Sequence, residues 1–356
     1  MVKNKKPIKN KIHLEKVDKV SKTPFIRIKK RFISYLGRRP HRSFRPTRRR
    51  DYIRPLHLPG YWAFTSHVRK TLWKNRKIFI YLAFFYMIAT FVLVGIGSQN
   101  LYSSLTETME VTSGDAFSSF WGQIGKSSLL FFTTVTGGLS QDFTEVQQIL
   151  ATIITLSMWL TGVWLLRNLL AGHKVKFRDG LYNAGAPIIS TFAIALLLII
   201  QLLPVAIALI GYGAAISTGL LSGGVEAMLF WAAAGLLTIL SLYLVTSTVF
   251  ALIIVTLPGM YPFKAIKTAG DLVLGHRLKI LFRLIWMGVG VILSWVIIMI
   301  PMIMFDLWIK SVLPIINWLP IIPVLLLILS SVTIIWVSSY IYLLYRKVVD
   351  NEVNPV

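Results

Sequence analysis

The chain has 356 residues, 55% of them hydrophobic, and a mean hydropathy of +0.67, with 38 Lys and Arg against 14 Asp and Glu for a net charge of +24. An apolar share of that size excludes an ordinary soluble domain, and the lack of any cysteine excludes a disulfide framework, a thiolate metal site and a cysteine nucleophile. The charge is concentrated: 25 of the 38 basic residues lie in the first 77 positions, opposed only by Glu15, Asp18 and Asp51, so this stretch carries +22 of the +24.

Residues 1–60 combine that charge with several prolines and no sustained apolar period. They cannot bury enough surface to offset chain entropy and are expected to form a disordered basic tail. Its densest run holds Arg38, Arg39, Arg42, Arg45, Arg48, Arg49 and Arg50. Guanidinium forks suit phosphate oxygens, and near an anionic leaflet each basic residue contributes about 1 kcal/mol. A bilayer with anionic headgroups is therefore the expected partner. Nucleic acid or the ribosome is the alternative, with Phe25, Phe32, Tyr35, Phe44 and Tyr52 available to stack on bases. The sequence names no particular protein partner. The N-terminus lacks a short basic segment running directly into an apolar stretch and a small-residue cleavage site, so no removable signal peptide is expected.

Over 61–77 the texture changes. Phe64, Val68 and Leu72 recur every four residues with Tyr61 and Thr65 beside them, and Arg69, Lys70, Lys74, Arg76 and Lys77 supply a basic face. This spacing predicts an amphipathic juxtamembrane helix in the interface, with Trp62 and Trp73 at headgroup depth.

From there the chain is dominated by apolar stretches long enough to cross a hydrocarbon core of about 30 Å. They fall near 78–97, 146–169, 187–210, 227–255, 280–305 and 321–345. Backbone amides in lipid must be satisfied within their own segment, so the expected fold class is all-α: a polytopic helical bundle of about six spans over 78–345, followed by a short tail over 346–356. Of the 13 basic residues beyond position 77, 11 fall in the connections after spans two and four and around the C-terminus; only Lys126 and Lys310 fall on the other side. The positive-inside rule then places both termini in the cytosol and the protein in the cytoplasmic membrane. Pro204 and Pro301 lie within spans and are read as kinks.

Between spans one and two, 117–132 is an apolar, aromatic segment of helical length, followed by a turn with Thr136, Gly137 and Gly138. This layout resembles the pore loop of potassium channels, without the Gly-Tyr-Gly of the filter. The plainer expectation is a re-entrant or interfacial helix ending in a glycine turn. In span three, Gln201 is expected to bond to a neighbouring helix.

The connection after span four predicts a second amphipathic helix. Lys264, Lys267 and Asp271 lie on one face, Phe263, Ile266, Gly270 and Val273 on the other, and Gly275 supplies a left-handed cap before Arg277 and Lys279. The connection after span two holds a shorter version with Phe177, Leu181 and Ala184 on one side. Through Ala265, Lys267, Gly275, Arg277 and Lys279 the chain resembles a family of bacterial six-span membrane proteins of poorly defined function, which includes the membrane domain fused to some glycerophosphodiester phosphodiesterases. The resemblance covers at most 78–345 and implies a six-span fold in which this helix enters the next span. No phosphodiesterase domain accompanies it here, and that activity is not carried over.

Catalytic patterns are not found. The six histidines lie outside the spans without HxxxH spacing, and there is neither a phosphate loop with its lysine nor a serine elbow. No central Asp, Glu or Lys interrupts a span as read here, and no cofactor is implied. The expected function is that of a non-enzymatic membrane protein whose tail binds anionic lipid, with a role in envelope or membrane organisation. A channel or transporter permease and a membrane tether for ribosome or RNA are the alternatives.

Overall fold

The computed structural model describes residue 56, residues 58–95, five positions between 124 and 130, and residues 144–313 and 319–353. The described residues are helical with no strand. In chain order the continuous helices among the described residues are α1 (Tyr61–Lys74), α2 (Arg76–Leu93), α3 (Glu145–Leu170), α4 (Phe177–Ala184), α5 (Ile188–Ser217), α6 (Gly224–Ile254), α7 (Pro262–Val273), α8 (Arg277–Val312) and α9 (Ile321–Val353), with a 3-10 turn at Leu220–Ser222. Six of them, α2, α3, α5, α6, α8 and α9, are long and apolar enough to cross a membrane. The protein is an integral membrane protein.

Several boundaries are set by local chemistry. Thr144 starts α3 with a capping box: its hydroxyl accepts from the Gln147 amide, and the Gln147 side chain accepts from the Thr144 amide. At α4 the Asp179 carboxylate accepts from the Lys176 amide at 3.0 Å. Pro262 sits in the first turn of α7, where its missing N–H costs nothing. Pro204 and Pro301 lie inside the continuous helices α5 and α8. Asn75 separates α1 from α2, so Arg76 and Lys77, read from sequence as the end of the juxtamembrane helix, begin the first span instead.

The main core joins the second halves of α3, α6 and α9 to α1, α7 and the first half of α2, with Phe64, Leu82, Leu166, Phe250, Ala269 and Tyr340 among its buried members. α9 is the central element, touching α1, α2, α3, α6 and α8. Gly162 permits the close approach of α3 to α9: a Cβ there would lie 3.2 Å from the Ser338 hydroxyl. Hydrogen bonds tie spans together where hydrocarbon offers no alternative partner. The Tyr86 hydroxyl is 3.0 Å from the Thr161 hydroxyl, and Trp295 donates to Thr333 at 2.8 Å. Thr248 donates to the Gln201 amide oxygen at 2.6 Å, which gives Gln201 an interhelical partner. A second, smaller cluster joins Leu130, Met299, Ile303, Ile322 and Leu329.

Large apolar side chains cover the outside of the spans, including Leu203, Ile207 and Ile210 on α5 and Leu229, Leu236 and Ile239 on α6. Exposed side chains of this kind on helices of this length face lipid.

Candidate functional site

Exposed basic side chains lie on α1 and on α7, and each of these helices buries apolar residues in the main core. α1 is bound there by its apolar stripe: Phe64 and Val68 are buried, and the Phe64 ring meets Tyr340 of α9 edge-on at 4.9 Å. Arg283 of α8 completes the seat. Its guanidinium lies 4.6 Å from the Tyr61 ring centroid and 5.5 Å from that of Phe64, and it donates to the Pro59 carbonyl just before α1. One turn on, Trp286 donates to the Thr65 hydroxyl at 3.2 Å and meets Tyr61 at a tilt and Trp62 edge-on, with centroids 5.6 and 5.1 Å apart. The apolar stripe of this amphipathic helix is therefore covered by protein.

What remains outward is cationic and aromatic. Arg69, Lys70, Lys74, Arg76 and Lys77 are exposed, as are Trp62 (75%) and Trp73 (68%), with the Arg76 guanidinium 5.1 Å over the Trp73 ring. Arg69, Lys70, Trp73 and Lys74 line a shallow cavity of about 510 Å³.

Three arginines in or next to the spans hydrogen-bond to backbone carbonyls. Arg167 forks onto Thr256 O at 3.1 and 3.2 Å, joining the ends of α3 and α6. Arg277 donates to Tyr243 O at 3.2 Å while lying 3.9 Å over that residue's ring. Arg283 takes Pro59 O, as above. A carbonyl satisfies a donor without cancelling its charge, so this end keeps a positive field. No known protein family matches this chain, and no curated protein or solved structure is similar to it.

At α7 the residues that share the apolar face in sequence do not share an environment. Phe263 is 82% exposed while Val273 is buried; the buried positions are Ala265, Ala269, Leu272 and Val273, with Ile266 half-buried. The alanines seat α7 close to α6, and a phenylalanine on that stripe would hold the helices apart. Lys264, Lys267 and Lys279 are exposed as expected, and Gly275 has the positive φ, +86°, of its capping role. At α4, likewise, Gly180 and Ala184 are the buried residues, while Phe177 and Leu181 are half-buried.

Asp306 was missed. Sequence reading ended the fifth span at Phe305, but α8 continues through it, and Asp306 is fully buried. Lys310, one turn later, donates to its Oδ2 at 3.0 Å, while Oδ1 has no hydrogen-bond partner. The i, i+4 spacing of Asp306 and Lys310 at the end of an apolar run was the available signal. The arginines from Arg38 to Arg50 and the turn at Thr136, Gly137 and Gly138 lie outside the described residues. Among the described residues no three His, Asp or Glu side chains are grouped as metal ligands.

Proposed function

We propose that the protein is a non-enzymatic constituent of the cytoplasmic membrane, both termini cytosolic, whose basic tail and α1 bind anionic headgroups and so organise lipid around the bundle. The observation that carries this reading is the division of labour on α1. Phe64 and Val68 are spent on the bundle, which leaves Arg69, Lys70 and Lys74 outward with the two exposed tryptophans. Tryptophan beside Lys and Arg is the composition of a surface at headgroup depth. The sequence before α1 adds seven more arginines between 38 and 50, and each basic residue near an anionic leaflet adds about 1 kcal/mol.

The absence of native cysteine makes the test direct. Full-length protein with Ser43→Cys, carrying an environment-sensitive fluorophore, is reconstituted into vesicles with and without phosphatidylglycerol. A blue shift only with the anionic lipid, reversed by high salt, is the expected result. No shift in either vesicle, with RNA giving the shift instead, replaces the lipid reading by the nucleic-acid tether.

A permease is the second reading, favoured by Asp306: a fully buried carboxylate near the end of a spanning helix is costly and often functional. Ion or solute flux above that of empty vesicles, abolished by Asp306→Asn, would establish it.

A further inference from the structure

The two short helices α4 and α7 are built alike. Each follows a span through a glycine at positive φ, Gly172 at +84° and Gly259 at +73°. Each buries two small residues four apart, Gly180 and Ala184 in α4 and Ala265 and Ala269 in α7. The main contacts of α4 are with α3, and those of α7 with α6, so each helix folds back on the span it follows. These small residues set the close approach to the span, and part of each helix's large side chains is left outward. α4 presents Arg178 and Tyr182, the latter 90% exposed, and α7 presents Phe263, Lys264 and Lys267. Beyond the Gly275 elbow, Lys279 and Phe282 are exposed as well.

Both helices thus carry an aromatic and a cation at i, i+4 spacing, Arg178 with Tyr182 and Phe263 with Lys267. Bulk water gives an exposed phenylalanine nothing, and hydrocarbon gives a lysine pair nothing. The headgroup layer satisfies both at once.

We propose that α3–α4 and α6–α7 are two copies of one device, and that the outward faces of α4 and α7 form paired binding sites for phosphate-bearing anionic lipid. This rests on the reading above that the basic end of the bundle meets an anionic leaflet, but it assigns the contact to residues separate from α1 and the tail.

The experiment uses the full-length protein in phosphatidylcholine vesicles doped with spin-labelled phosphatidylglycerol or spin-labelled phosphatidylcholine, and reads the preference of the immobilised lipid shell for the anionic probe. Changing Lys264, Lys267 and Lys279 together to Gln lowers that preference by roughly threefold or more, and changing the same three to Arg preserves it. Nitroxides at Phe263→Cys and Tyr182→Cys report the same shallow depth. The proposal is overturned by an unchanged preference in a Gln variant that melts like the parent, by free water access at 263, or by immobilisation of the 263 nitroxide against protein. Neutralising Arg69, Lys70 and Lys74 separates the two readings. If that variant alone abolishes the preference, α1 binds the lipid and the elbow does not; if neither variant changes it, both readings fall.

Discussion

Arg283 is the residue on which α1 depends most. It is 95% buried, and its guanidinium is shared between two aromatic faces and one backbone carbonyl. A desolvated cation–π contact contributes about 2 kcal/mol and a hydrogen bond from a charged group about 1.5–3 kcal/mol. Arg283→Leu is expected to lower unfolding stability in micelles by about 2–4 kcal/mol and to expose the α1 segment to protease before the rest of the chain. Lysine does not rescue it, because an ammonium cannot lie flat on Tyr61 while reaching Pro59. Asp306 poses the complementary problem of a buried negative charge with one partner. Lys310→Met is expected to cost about 3–5 kcal/mol, and adding Asp306→Leu to recover most of it, since breaking a buried pair costs far more than replacing it. A double-mutant cycle by denaturant unfolding reads both values. If the double variant is no better than the single one, the pair is not the reason for the loss.

Among the elements, α4 and α7 make opposite demands on their glycines. A Cβ at Gly180 would lie 3.0 Å from Leu165 and 3.1 Å from Thr161, whereas at Gly270 nothing lies within 4 Å. Gly180→Ala should therefore destabilise by about 1 kcal/mol or more, because overpacking outweighs the gain in helix propensity. Gly270→Ala should stabilise by about 0.5–1 kcal/mol through propensity alone. Thermal melts in one detergent compare the two, and equal signs would contradict the seating of α4 on α3. These same helices mark the limit of what periodicity could disclose. The α7 helix and its Gly275 cap were legible, but periodicity put Phe263 and Val273 on one face and could not tell that Phe263 is exposed and Val273 buried. When lipid or headgroups lie outside, the largest apolar residue can face out and alanine in, which inverts the rule for a soluble helix. α1 was legible as amphipathic for the same kind of reason; that its stripe meets Tyr340 rather than lipid depends on contacts from residues more than two hundred positions away.

For the whole molecule, the six spans were readable because a hydrocarbon core fixes a minimum apolar length, and every predicted stretch lies within or overlaps a helix. The ends were less readable. α8 and α9 extend well beyond the apolar window, so Asp306 and Arg346 belong to helices rather than loops. At this scale the account makes an electrostatic prediction: association of the basic end with anionic vesicles weakens steeply between low and high salt, as the screening length falls from about 30 Å at 0.01 M to about 8 Å at 0.15 M. The central claim is that the chain crosses the bilayer six times with its basic end and both termini on the cytosolic side. It is tested most directly by labelling single cysteines, placed in a chain that has none of its own, with a membrane-impermeant maleimide in sealed cells and in inverted vesicles. Ser43→Cys in the tail and Thr268→Cys on the exposed side of α7 are predicted to react only in inverted vesicles, and Thr218→Cys at the far end of α5 only in sealed cells. Labelling of position 43 or 268 from outside intact cells would contradict the account.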